Sequence, residues 1–445
     1  MTPGADHGYW ELRAEWLKLR GCLFDPNTGL PALPAVIDGV RRRLEDGERV
    51  GALFVELASE EKLEEVCGWQ AYDRLLRQVA QVLEEFRERT LQPRDTLAIT
   101  GIRGDAFLLF VGARPRQALD ERRLNRLRDS LSKELSSRLR FDSEGELPRG
   151  ITLSCGSAMV DADPTVRIER SVYKGIDDAR TACRRQRERQ HSLRLSELRR
   201  LLAAGDVAVR YQPIVHLGDG HIHGYEALSS GPAGDVFESP EMLFSFAEET
   251  DHIVELERLC RIRAIRGAAT LKSGQKLFLN CSAHGFVDPD LFSGEILHEI
   301  ESANLRPQSV VFEVTERVAI TEWKEFRAIL ADLRQRGFAV AIDDMGAGYS
   351  SLQAVAEIEP DYLKFDISLV RDIHRSPIKR NLLETLVVLA EKIHAQVIAE
   401  GVESEGEYDA LRSMSIPFAQ GYYLAQPGRI PDPPDPRLFG GGRQG

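Results

Sequence analysis

At 445 residues, with 58 basic against 70 acidic side chains, the chain is long enough for two or three domains and carries a formal net charge of −12. Hydrophobic residues make up 42% and charged residues 29%, an ordinary globular balance that excludes a fibrous or largely disordered chain. The acidic excess argues against nucleic acid or an anionic membrane as a partner, since both want a basic face.

Six scattered cysteines (Cys22, Cys67, Cys155, Cys183, Cys260, Cys281) are too few for a disulfide scaffold. None sits in a CxxC or Cys/His cluster, so their spacing does not indicate zinc. MTPGADHGYWELRAEW at the start lacks the basic-then-apolar order of a secretory leader. No apolar run reaches the roughly 18–20 residues of a membrane span, and AFLLFVGA at 106–113 is about the longest. The expectation is a cytoplasmic protein.

Residues 1–19, with Trp10 and Trp16, read as an amphipathic helical extension of no assigned function. From 20 to 190, β-like runs alternate with amphipathic helices. RVGALFVEL (49–57), TLAITGI (96–102), AFLLFVG (106–112) and GITLSCGSAMV (150–160) read as strands. WQAYDRLLRQVAQVLEEFRE (69–88) and ERRLNRLRDSLSKELSSRL (121–139) carry helix-spaced leucines, so this part is one α+β domain. Arg180–Arg200, with eight arginines, reads as a solvated helix, and 191–200 as a helical linker. No aromatics interleave with its charges, as a nucleic-acid surface would require.

Between 201 and 430 the texture changes. Short apolar strands end one after another on a polar residue: GYEAL (224–228), KLFLNCS (276–282), VVFEVTE (310–316), FAVAIDD (338–344), YLKFD (362–366), AQVIAE (395–400) and AQGYYLA (419–425). Runs apolar on both faces belong to parallel sheets covered by helices. The polar positions Glu226, Asn280, Glu313, Asp343, Lys364, Glu400 and Gln420 are separated by 54, 33, 30, 21, 36 and 20 residues. A (β/α)8 barrel spends roughly 31 per repeat and keeps its chemistry at the carboxyl ends of its strands, so the spacing predicts such a barrel with one enlarged early loop. The Pro/Gly-rich residues 431–445 read as a flexible tail.

At one barrel mouth Glu226, Glu313, Asp343, Asp344 and Glu400 would converge with the Asn280 amide oxygen. Acids so close repel, and hard oxygen donors select Mg²⁺ or Mn²⁺. Adjacent Asp343 and Asp344 can both face the site only where the strand ends, and Met345-Gly346-Ala347-Gly348 is the expected turn. A shared carboxylate there could bridge two cations, as in displacement at phosphorus, with Lys364 adding a positive charge.

From about Leu198 to Pro427 these residues closely resemble the EAL domain of bacterial cyclic di-GMP phosphodiesterases. The motifs occur in that family's order: YQPIV at 211, GYEAL at 224, FLNCS at 278, FEVTE at 312, IDDMGAGYSSL at 342, DYLKFD at 361, VIAEGVES at 397 and QGYYLAQP at 420. The resemblance implies opening of cyclic di-GMP to linear pGpG with two divalent cations, Mg²⁺ or Mn²⁺. It places one cation on Glu226, Asn280, Glu313 and Asp343, and lets Asp343 and Asp344 reach the second. Glu400, counted with the metal residues, would support metal-bound water, and Lys364 would orient and help activate the attacking water. Gln212, Asp366, Glu403 and Gln420 would be supporting groups, and Glu316 would anchor the loop DDMGAGYSS, which couples dimer contacts to the site. It also implies a homodimer through this domain. Two departures stand out. Ser230 occupies the place of a phosphate-binding Arg, which predicts weaker substrate binding. Met345 replaces the usual Phe, a near-neutral change in size.

Residues 20–190 resemble a GGDEF, or nucleotidyl-cyclase-like, domain in degenerate form. FDPNTGLPALP (24–34) and WQAYDRLLRQVA (69–80) match, but the signature reads Arg103-Gly104-Asp105-Ala106-Phe107. Glu56 and Glu64 stand where a metal-binding Asp and a guanine-reading Asn are expected. Arg94 is kept, but Leu97 breaks the RxxD feedback pattern, while Asp73 and Asp105 survive. The resemblance therefore implies no cyclase activity but a regulatory or dimerising domain that could bind a protein partner. The alternatives to hydrolysis are a non-catalytic cyclic di-GMP receptor and a scaffold that binds no nucleotide.

Overall fold

The structure, a computed structural model, describes residues 20–58, 69–101, 104–114, 117–139, 152–286, 288, 291, 294–315, 323–346 and 351–430. The expected helix at 1–19, the tail at 431–445, Arg103, Glu64 and Glu316 lie outside the described residues. The chain divides into two compact units, 1–196 and 197–445, with the boundary inside the helix Ile168–Ala204.

The first unit is built on a four-stranded antiparallel sheet in the order β2-β3-β1-β4. Its strands are β1 (Val50–Ala58), β2 (Thr96–Ile99), β3 (Ala106–Gly112) and β4 (Thr152–Val160). Side chains alternate across a strand, and both faces of β1 are used. Leu53, Val55 and Leu57 join a core with Leu75, Val79, Leu83 and Phe86 of the helix Trp69–Thr90. Ala52 and Phe54 join a second core with Val40 and Leu44 of the helix Leu33–Glu45 and with Val172 and Ala179 of Ile168–Ala204. Two helices thus flank the sheet beyond the pair that leucine spacing predicts. Leu33–Glu45 escapes that pattern because only three of its residues, Leu33, Val40 and Leu44, are buried.

The second unit is a closed eight-stranded barrel in the order β10-β11-β12-β5-β6-β7-β8-β9. The strands are β5 (Ala208–His216), β6 (Ile222–Ser230), β7 (Lys276–Asn280), β8 (Val310–Thr315), β9 (Ala339–Met345), β10 (Tyr362–Phe365), β11 (Gln396–Ala399) and β12 (Phe418–Ala419). The predicted barrel is therefore present, with two differences. β5, which the strand-end pattern does not reveal, runs antiparallel to both neighbours, whereas all other pairings are parallel. The expected strand at 419–425 pairs only through Phe418 and Ala419. Beyond it the chain turns, with Leu424 and Ala425 N–H groups donating to Gly421 O. A Cβ at Gly421 would lie 2.2 Å from the Val402 backbone, so only glycine lets the chain close in there. The long β6–β7 connection folds into the helices Pro240–Glu249 and Ile253–Gly267.

The barrel interior is layered, as period-2 strands require. Ile214, Phe278, Val311, Ala341, Tyr362, Ile398 and Phe418 pack as an apolar plug. Two residues along each of these strands, toward one end, come Gln212, Asn280, Glu313, Asp343, Lys364, Glu400 and Gln420. The plug thus sets the floor on which the polar layer stands.

Candidate active site at the barrel mouth

Lys364 is the centre of that layer. It is fully buried, and its Nζ lies 2.7 Å from Glu313 Oε1, 2.7 Å from Glu400 Oε1, 3.0 Å from Asp343 Oδ1 and 3.1 Å from Glu226 Oε2. Gln420 Nε2 donates to Glu226 Oε2 at 2.6 Å and Glu400 Oε1 at 3.1 Å, and Asn280 Nδ2 donates to Glu226 Oε1 at 3.1 Å. One ammonium cannot neutralise four ionised acids, and burial strengthens their repulsion.

The titration behaviour follows that imbalance. Burial first, then neighbouring Glu226 and Asp343, lifts Glu313 well above the ordinary carboxylate range. Burial and Asp343 do the same to Glu400, and burial with Glu226 raises Asp343. Burial also opposes charge on Glu226, but Lys364 and the donors Gln420 and Asn280 outweigh it and hold that group below the usual value. Lys364, despite its burial, is pushed well above its ordinary value by the ring of acids around it.

Asp343 and Asp344 face the same site by a different device from a strand end. On the β9–β10 ladder Ile342 pairs with Leu363 and Met345 with Phe365, so two aspartates oppose the single Lys364. That is a bulge, which re-aims a side chain that would otherwise point away. Asp344 adopts the left-handed region at φ 58°, and β9 continues through Met345. Ala347 and Gly348 of the expected turn lie outside the described residues.

Two acidic triads result: Glu226, Glu313 and Asp343, and Asp343, Asp344 and Glu400, each with ligand oxygens within 4.8 Å of one another. They share Asp343. Within the layer, Glu313 Oε2 and Gln420 Oε1 are buried and accept no hydrogen bond. A buried, unsatisfied carboxylate oxygen in an all-oxygen cluster suits a hard divalent cation. The residues present therefore fit such a group.

Other expected site residues stand further off. Gln212, the register partner of Glu226, donates to Ala425 O at 3.2 Å and so ties down the segment after Gln420. The Asp366 carboxylate accepts from Ser368 N at 2.8 Å, capping the short helix Ile367–Val370, and is not brought to Lys364. Glu403 is exposed at the rim, 3.5 Å from Arg371 Nη2. Ser230, half-buried at the end of β6, donates its hydroxyl to Gly231 O at 3.2 Å. Glu407, which no motif marks, is buried and accepts N–H bonds from Asp372, Glu403 and Ser404. It fixes the loop that follows Glu400, and its signal in the sequence is the capping box Ser404-x-x-Glu407.

A family model for the EAL domain matches residues 195–427, more than half of the chain. The chain belongs to the EAL domain family. Among curated relatives, the probable cyclic di-GMP phosphodiesterase PdeG of Escherichia coli K12 is 33% identical over 236 residues, 52% of this chain and 46% of PdeG. Cyclic di-GMP phosphodiesterase PdeR of the same strain is 28% identical over 424 residues, 91% of this chain and 61% of PdeR. The chain thus spans about half to three-fifths of the length of these two relatives. Among solved structures, the Xanthomonas citri FimX EAL domain in complex with c-diGMP superposes with TM-score 0.51 at 21% identity, over 55% of this chain and 97% of FimX's, and shares the fold. Among the described residues no helix is long and apolar enough to cross a membrane.

Proposed function

We propose that the barrel hydrolyses cyclic di-GMP to linear pGpG with two divalent cations, Mg²⁺ or Mn²⁺. The observation that carries this reading is the ring of four acids around buried Lys364, with one oxygen of Glu313 left without a donor. Glu226, Asn280, Glu313 and Asp343 would hold one cation, and Asp343 with Asp344 would reach the second. When bound, the cations supply Lewis acidity toward water and the phosphodiester. Lys364 fixes the acids in place and orients the attacking water, and Glu400, 2.7 Å from its ammonium, accepts a hydrogen bond from that water. Glu403 and Gln420 support this arrangement from the rim and from within. Residues 20–190, within the first unit, act as a degenerate GGDEF-like regulatory or dimerising domain without cyclase activity. PdeR, which is named as a phosphodiesterase, supports this reading because its match runs over 91% of the chain and so extends into that unit.

The second reading is a non-catalytic cyclic di-GMP receptor, and Ser230, whose hydroxyl is turned to its own loop, favours instead a scaffold that binds no nucleotide. Incubation of the protein with cyclic di-GMP and Mg²⁺ or Mn²⁺, followed by chromatography for pGpG, separates the two. Product that disappears in Glu226→Ala is the expected result. Binding without product at micromolar enzyme leaves the receptor, and no binding leaves a scaffold.

A further inference from the structure

The opposite end of the barrel carries a second cluster of donors. HLGDGHIHG at 216–224 places three of the chain's ten histidines in eight residues, on the tight β5–β6 connection. Its backbone is closed by His216 N–H donating to His221 O and Gly220 N–H to His216 O, both at 2.9 Å. At the same end Leu217 N–H donates to Pro417 O, and His216 pairs with Phe418. β7 to β11 also begin at this end, so it lies beneath the apolar plug and away from the acids of the mouth.

The side chains converge. His216 Nδ1 and His221 Nδ1 lie 2.7 and 2.6 Å from the same Asp219 oxygen, and the two imidazoles stack with centroids 4.8 Å apart. A Cβ at Gly218 would stand 2.8 Å from the His216 ring, so the glycine leaves room for the imidazole to fold over the turn. A ladder irregularity behind the turn, where Ile214 pairs with Gly224 and Val215 with Ile222, makes His223 the extra residue. His223 then stacks on Phe418 at 4.0 Å, with its Nε2 3.1 Å from Tyr362 Oη, while His216 meets the edge of Phe418. His216 is thereby propped against the barrel floor, whereas Asp219 and His221 remain open to solvent.

We infer that His216, Asp219 and His221 form a binding site for a borderline divalent transition-metal ion, Zn²⁺ foremost, at the amino-terminal end of the barrel. Two imidazole nitrogens and one carboxylate are a donor set that selects Zn²⁺, Ni²⁺ or Cu²⁺ over Mg²⁺, the reverse of the oxygen set at the mouth. Three protein ligands leave a fourth position for water or another donor. Metal–ligand distances near 2.0–2.1 Å at tetrahedral angles need ligand atoms about 3.3 Å apart, so the donors must spread by roughly 0.6 Å. The exposed side chains of Asp219 and His221 can make that change by small rotations. An ion held there ties β5 to β6, the two strands that carry Gln212 and Glu226 to the mouth.

The test uses the full chain free of any histidine tag and saturated with Mg²⁺, with Cu²⁺ as the paramagnetic probe. The acidic cluster at the mouth offers no imidazole, so nitrogen couplings in the electron spin-echo spectrum distinguish the two ends. Wild type is expected to take up Cu²⁺ with couplings from two imidazoles, His221→Gln with one, and the His216→Gln/His221→Gln pair with none. Zn²⁺ titrated by calorimetry should bind at least about tenfold more weakly to Asp219→Asn. A wild-type spectrum without imidazole couplings overturns the proposal whatever the variants do. Couplings that persist in the double variant overturn it too, since they arise elsewhere, and the trio then serves only as a hydrogen-bonded turn.

Discussion

Both units bury acids, but they treat them in opposite ways. In the first, Asp95 is buried, yet its Oδ1 accepts from Arg43 Nη2 at 3.0 Å and from Gly112 N–H at 2.8 Å, and its Oδ2 accepts from Gln92 N–H at 2.9 Å. The donors come from the helix Leu33–Glu45, the turn after the helix Trp69–Thr90 and the end of β3, so this acid is a structural staple. At the barrel mouth Glu226, Glu313, Asp343 and Glu400 share one ammonium, and Glu313 Oε2 has no donor at all. Burial of an acid is thus not itself a sign of function. The telling feature is a surplus of negative charge that the fold leaves uncompensated, which asks for protons or cations.

The contrast can be broken most directly at Lys364. Lys364→Met should abolish turnover and destabilise the metal-free protein by about 3–5 kcal/mol in urea titrations at pH 8, because it strands the acids without the ammonium at their centre. If stability is unchanged, the ring is not held by that ammonium. Glu313→Gln comes next: it removes a ligand while keeping the shape, so turnover should fall on the order of 10²–10³-fold. The metal-free Tm of this variant should hold or rise, since a buried acid that resists ionisation is gone. A lower Tm would show that Glu313 is needed for structure.

Metal and pH act together. Glu313, Glu400 and Asp343 titrate above their ordinary values, so the folded protein keeps protons that the unfolded chain has released. Metal-free stability should therefore decline as pH rises from about 4.5, the ordinary glutamate value, toward the raised ones. Glu226 has the opposite sign: its contribution is already full above about 4.5 and is lost as pH falls below that value. Mg²⁺ or Mn²⁺ at a hundredfold excess over Kd should add about 2–3 kcal/mol, and one fixed cation concentration should add more at pH 8 than at pH 6. Thermal melts with and without chelator give both numbers, and an increment independent of pH would detach the cations from these acids.

The staple in the first unit should behave otherwise. Asp95→Ala strips acceptors from Arg43, Gln92 and Gly112 and should cost about 1–3 kcal/mol, with turnover per folded molecule unchanged. A proportional loss of turnover would instead tie the sheet to the mouth. The smallest effect is expected at Ser230→Arg, which restores a charged phosphate contact and should lower KM about tenfold while kcat stays within about twofold. An unchanged KM would show that the Ser230 position does not meet phosphate.

The barrel was legible because short apolar runs end on polar residues that recur at about the spacing of a βα repeat. The antiparallel β5 was hidden: it precedes the repeat, and its polar Gln212 lies at the opposite end of its apolar run from the others. The last strand was overextended because the apolar run through Tyr423 packs as a turn against Val402, a contact invisible along the chain.

The sequence by itself determined the composition of the mouth, the order of its acids and the departure at Ser230, since these depend on residue identity and period alone. Tertiary structure decided the rest. It decided that Asp343 and Asp344 face one site through a bulge opposite Lys364, because register belongs to two strands at once. It decided that Lys364 is the hub of the acids, that Asp366 turns away to cap a helix, and that His216, Asp219 and His221 meet around one turn. Convergence is a property of closure: only when β12 pairs with β5 do residues far apart in the chain, Glu226 and Gln420 at 194 positions among them, come within hydrogen-bonding distance.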